Sequence, residues 1–263
     1  MKNLMLRIAM GLLLNCSTAK SSYALTQTWL DPNFVKQAFL EVALKNEYSQ
    51  GTRHLTKWEK PIKVWVQHKV ADQALHDQLT NTHLRDLSTI TGHSIKRVTK
   101  RDKANIVWVY TQKSKWEGDI EKELGAGALK YTHGAICKAG YQTNKVTNEI
   151  DSAVIIIPVD QAREHGKLLA CIVEEITQTL GLPNDTKAAY PSIFNDETPE
   201  NLLSPLDVIL LKMLYEPELR SGMNLAQTQQ AVDAILSRYQ SQGVLTQAVT
   251  IAKSTELFQL VGY

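Results

Sequence analysis

The stretch that decides the reading is "CIVEEITQTLGLPND", residues 171–185. Its apolar positions, Ile172, Val173, Ile176 and Leu180, recur at helical spacing, and Gly181 followed by Pro183 ends the run. The spacing predicts one long helix over residues 161–180. Glu174 and Gln178 stand four residues apart, so they share one helix face, with Glu175 beside them. On its own, E-E-x-x-Q is common on solvated faces and carries no chemistry, so its meaning depends on what surrounds it.

Upstream, residues 32–48 have helical spacing, with Asp31 as the cap and Pro32 in the first helical position. "IKVWVQHKV" alternates as a strand, residues 71–91 form a helix ending before Gly92, and "SIKRVTK" and "NIVWVYT" read as further strands. A short helix over 116–124 is closed by Gly125, and "GAICKAGY" and "SAVIIIPV" are strands separated by the polar turn "QTNKVTNEID". Downstream come a loop, a helix from Ser204-Pro205, and two amphipathic segments, the first capped by Asn224. Strands with early helices, then mostly helices, predict an α+β fold with a mixed sheet and a helical C-terminal half.

Two later motifs give residues 171–185 a context. "PSIFND", residues 191–196, resembles the methionine turn of the zinc-dependent metzincins, with Phe194 where the methionine stands. "LSPLDVILLKMLYEP", residues 203–217, resembles the helix that follows that turn. Metzincins carry H-E-x-x-H on a helix, a glycine three residues on, and a third ligand after the turn. The segment is also similar to an uncharacterised bacterial family of exported proteins, domain of unknown function 2927, in which E-E-x-x-Q-x-x-G-L-x-N-D precedes S-I-F-N-D. That resemblance covers residues 135–223 and implies a zincin-like domain over 25–263 without implying an activity.

Carried over by position, Glu174 and Gln178 occupy the first two ligand positions, Glu175 the general-base position, and Asn184 the third ligand position, with Asp185 next to it. A carboxylate and two amide oxygens are poor zinc ligands, since zinc prefers nitrogen and sulfur. Tight zinc binding is therefore not expected, and no cofactor is. Without a metal to acidify water, Glu175 lacks the partner that makes it a base. His54, His68, His76, His83, His93, His133 and His165 include no pair at i, i+4; His165 stands about two and a half turns before Glu174 on the same expected helix, too far to join it at one metal, which leaves His133, near the strand before that helix, as the one contributor.

What survives the loss of a metal is a groove. The resemblance implies an edge strand over residues 133–141 that pairs with an extended peptide or an envelope protein. The expected function is that of a non-catalytic pseudo-peptidase. The alternative is a hydrolase, peptidase or glycosidase, using Glu174, Glu175 and Asp185 with or without a non-zinc ion. Asn184-Asp185 and Asn195-Asp196 offer oxygen ligands for calcium, though turn chemistry accounts for both pairs.

The N-terminus sets the compartment. Lys2 and Arg7 precede an apolar run from Ile8 to Leu14 and then small residues, which is the order of a signal peptide over residues 1–24, cleaved after Ala24 or Ala19. A lipoprotein reading through Cys16 suffers from Asn15, where a small residue is wanted. Periplasmic or secreted export is expected. The two cysteines left, Cys137 and Cys171, then form one disulfide or stay as two buried thiols. No later stretch is long and apolar enough to span a bilayer. With a net charge of +2 and scattered basic residues, nothing marks a nucleic-acid surface. Gly125-Ala126-Gly127 lacks the context of a nucleotide loop, and the five tryptophans read as core or strand-face residues.

Overall fold

The computed structural model describes residues 27–45, 51–195, 197 and 200–262. The expected leader with Cys16, the end of the first helix at Tyr48, and Asp196 lie outside the described residues. Five strands form one sheet: β1 (Ile62–His68), β2 (Ile95–Arg97), β3 (Ile106–Thr111), β4 (Lys138–Thr143) and β5 (Ile150–Pro158). Their order is β2-β1-β3-β5-β4, parallel except for β4, which runs antiparallel to β5 at one edge. The expected mixed sheet is thus present.

Strand chemistry explains the layering. Val64, Trp108, Tyr110, Ile155 and Ile157 face one side and join the main apolar cluster, while Val109 and Ile156 face the other and pack with Trp116 and Ile120. β3 and the second part of β5 are largely buried on both faces, so "IVWVYT" and "AVIIIP" read as continuous apolar runs. One face is covered by α3 (Lys113–Leu124), the other by α2 (Gln73–Thr91) and α5 (Leu168–Thr179).

Behind these lie α1 (Pro32–Leu44), α6 (Pro205–Leu214), α7 (Leu225–Ser241), α8 (Val244–Ser254) and α9 (Glu256–Val261). The helical C-terminal half is as expected, but its last part holds three helices among the described residues, not two. Gly243, at φ 70°, ends one turn and starts the next, and Thr255 caps α9 by accepting from the Phe258 N–H. Asn224 caps α7 through a reciprocal box with Gln227.

Two boundaries differ from expectation. The helix over 161–180 is two helices, α4 (Val159–Glu164) and α5. Gly166 takes φ 65°, its N–H bonds Arg163, and the Lys167 N–H reaches back to Ala162 at 2.7 Å, a Schellman stop. His165 therefore does not share a helix with Glu174. The edge strand expected over 133–141 starts only at Lys138, because residues 132–135 turn, with Gly134 at φ 80° and the Ala135 N–H bonded to Thr132.

Candidate functional site

The site is built on α5. Its apolar stripe, Ile172, Val173 and Ile176, is fully buried against the core. The opposite stripe carries Cys171, Glu174, Glu175 and Gln178, spaced so that all four look the same way. From the back, α2 supplies the fully buried His83, whose Nε2 lies 3.3 Å from the Val173 carbonyl and 3.4 Å from Thr177 Oγ1. Burial pulls the pKa of His83 down to about 4.

The end of α5 is held by side chains. The Trp58 indole donates to the Thr179 carbonyl at 2.9 Å and the Tyr215 hydroxyl donates to the Leu180 carbonyl at 3.1 Å, satisfying acceptors a helix end leaves open. Burial raises the Tyr215 phenol well above its ordinary pKa. Gly181 then turns the chain at φ 122°.

Beyond that turn the sequence-derived ligand positions part company. The Asn184 amide donates to the Glu41 carbonyl at 3.1 Å, tying the loop to α1. Asp185 turns the other way, and the Gln178 amide donates to both of its carboxylate oxygens at 3.0 and 3.1 Å. Glu174, Glu175, Gln178 and Asp185 are brought together in the lining of one groove of about 670 Å³; Asn184 does not line it. Glu175 is only 6% exposed there.

The groove has β4 as one wall, and no strand among the described residues pairs with the outer edge of β4. A disulfide joins Cys137, just before β4, to Cys171 on α5, so wall and floor are covalently tied. Lys138 and Lys167 flank that bridge. At the far end the Tyr141 hydroxyl meets Thr56 Oγ1 at 3.1 Å and the Arg53 guanidinium lies 5.5 Å from the Tyr141 ring centre. Glu200 also faces the groove, its carboxyl pushed up by desolvation. Arg53, Tyr141 and Glu200 belong to no motif, and nothing in their local sequence marks them.

Residues 191–195 form the opposite side, where Ile193 and Asn195 line the groove and Phe194 is fully buried. Asp207, in the first turn of α6, holds this turn. Its carboxylate accepts from the Ser192 hydroxyl, the Ile193 N–H at 3.1 Å and the Ser204 N–H at 2.7 Å, while the Ser204 hydroxyl accepts the Asp207 N–H at 3.1 Å. Burial pushes the Asp207 carboxyl up to about 6 against the opposing pull of those hydrogen bonds. The Phe194 carbonyl accepts from Thr186, closing the loop on the Asp185 side.

Zinc does not fit this donor set. The amide at the second ligand position is turned onto the neighbouring carboxylate, and among the described residues no three His, Cys, Asp or Glu side chains converge in metal-binding geometry. His133 is exposed in the turn before β4, away from the groove lining. No helix among the described residues is long and apolar enough to cross a membrane. Among curated proteins, none matches the chain. A family model does match, over residues 32–234, well beyond the stretch that carries the motifs, and the chain belongs to that family, described as "Protein of unknown function (DUF2927)".

Proposed function

We propose that this is an exported, zincin-like protein whose groove holds an extended peptide segment of a secreted or envelope partner without cutting it. The observation that carries the reading is the Gln178–Asp185 pair: the amide at the second ligand position is bonded to the carboxylate beside the third, next to a strand whose outer edge no strand among the described residues pairs. An open antiparallel edge strand next to a polar helix suits β-strand addition, in which main-chain bonds bind and side-chain pockets select. The zincin-like assignment is supported by the order of parts. The helix with E-E-x-x-Q, the glycine turn, the residue 191–195 turn and α6 follow one another around one groove. Export is supported by the leader-like residues 1–24 and by the disulfide, which oxidising compartments preserve.

The rival is a hydrolase, favoured by the presence of Glu174, Glu175, Asp185 and Glu200 in one lining. Mature protein is screened against a random peptide library, selected peptides are tested for protection of residues 138–143 from hydrogen exchange, and metal content is read by elemental mass spectrometry. The expected result is intact bound peptide, protected β4 amides and no stoichiometric metal. Cleavage of the selected peptides that disappears in Glu175→Gln would overturn the non-catalytic reading.

A further inference from the structure

Away from the groove, at the C-terminal ends of β1 and β3, three rings stack. His68 and Tyr110 lie 5.3 Å apart at 4°, His76 and Tyr110 4.5 Å apart at 17°, and the two histidines 5.9 Å apart at 13°. The other two rings each have a side-chain partner, though His68 Nδ1 has none among the described residues. The Tyr110 hydroxyl meets Thr80 Oγ1 at 2.6 Å, and His68 Nε2 lies 3.1 Å from Asp77, which also accepts from Arg97 at 2.9 Å. His76 is different. It is fully buried, and among the described residues neither of its ring nitrogens has a hydrogen-bond partner. Such a group costs free energy unless something is gained elsewhere.

The residue one turn before it is also unusual. Asp72 caps α2 with φ 61°, a left-handed conformation that few non-glycine residues adopt, and its side chain makes no cap bond. Its carbonyl accepts the His76 N–H, while its carboxylate receives Arg163 of α4 at 2.8 Å. The groups facing His76 are Asp72 and Asp77 from α2, His68 from β1, Tyr110 from β3 and Arg163 from α4, with Arg97 of β2 behind Asp77. Of the two carboxylates, Asp77 is already engaged by both the Arg97 guanidinium and the His68 ring. Asp72 is engaged by Arg163, in an ion pair whose side chains are 53% and 41% exposed.

We propose that His76 is a proton-operated latch on α4: when its imidazole gains a proton, Asp72 moves from Arg163 to the new imidazolium, and α4 loses its tether to α2. Burial, with Arg163 and His68 nearby, holds the His76 pKa below the ordinary histidine value, so the latch stays closed at neutral pH. An imidazolium buried without an acceptor is untenable, and a carboxylate at i−4 is the acceptor a helix places within reach. The consequence reaches the groove, because α4 runs through Gly166 into Lys167, which lines it.

The test uses the mature, disulfide-bonded chain. Hydrogen exchange of residues 159–166, corrected for the intrinsic effect of pH, is compared at about pH 7.5 and about pH 4.5, with β3 as the internal standard. Protection of α4 is expected to fall about two- to fivefold on acidification, the range set by an exposed ion pair, while β3 holds. His76→Phe, which keeps a ring in the stack, should abolish the change, and Arg163→Gln should reproduce the acid state at neutral pH. Equal protection at both pH values in the wild type, or a loss that persists in His76→Phe, would overturn the latch. Should His76→Phe fail to fold by circular dichroism, Asp72→Asn decides: α4 must be loose at both pH values, and a remaining acid-dependent loss counts against the proposal.

Discussion

A Cβ placed on Gly181 would stand 2.1 Å from the carbonyl oxygen of Thr56. The glycine in this frame is therefore required twice, by its φ of 122° and by the close passage of another backbone. Gly181→Ala is expected to destabilise the fold by roughly 3 kcal/mol or more, since backbone cannot yield as a flexible side chain does. Denaturant midpoints with unchanged m-values measure this. A variant within about 0.5 kcal/mol of the wild type would show that the passage relaxes freely.

Gln178 and Asp185 also allow the zincin-like reading proposed for the groove to be tested by substitution. A Glu174→His, Gln178→His double variant puts two imidazoles four residues apart beside the Asp185 carboxylate. It is expected to bind one zinc per chain in competition with a chromophoric chelator, and to lose it when Asp185→Ala is added. Failure to bind would mean that Asp185 does not sit where a third ligand must.

The Cys137–Cys171 bridge closes a loop of 34 residues. Chain entropy assigns such a closure about 3–4 kcal/mol. Cys137→Ser with Cys171→Ser should lower stability by about that amount, read by denaturant unfolding, and should raise hydrogen exchange most at the start of β4. Uniform loss of protection across the sheet would instead assign the bridge a global role.

Two buried groups respond to acid with opposite signs. His83, depressed to about 4, contributes stability that is present above the unfolded value near 6.5 and lost as pH falls toward about 4. Asp207, raised to about 6, contributes stability that is present below the unfolded value near 3.8 and lost as pH rises through about 6. Each is worth on the order of 3 kcal/mol, so over the shared window they offset one another. Stability should fall more steeply on acidification in Asp207→Asn than in the wild type, and less steeply in His83→Leu. Parallel pH curves for all three proteins would remove both assignments.

Local signals in the sequence reached as far as local physics reaches. The strand runs of β1, β3 and β5, the Asn224 cap and the Gly92 stop each follow from neighbouring residues, and each is found in place. Gly166 was equally visible, but the apolar spacing on either side of it outweighed one glycine, so α4 and α5 read as a single helix. The site was less legible. Position counting selects Asn184, yet the side chain that meets Gln178 is that of Asp185, because the Glu41 carbonyl takes the Asn184 amide. That competition depends on α1, more than a hundred residues away in the chain. Arg53, Tyr141 and Glu200 enter the groove by the same kind of long-range packing.

The covalent tie lies at one end of the groove only. Cys137 and Cys171 fix the start of β4 to the early part of α5, whereas the other end, where Tyr141 meets Thr56 and Arg53 and Gln178 meets Asp185, is held by non-covalent contacts. Any widening must then be a splay about the bridge, like a jaw about its joint, small beside Lys138 and large beside Arg53. The peptide guest proposed above would then place its bulky part at the Arg53 end, which would give the groove a direction as well as a shape.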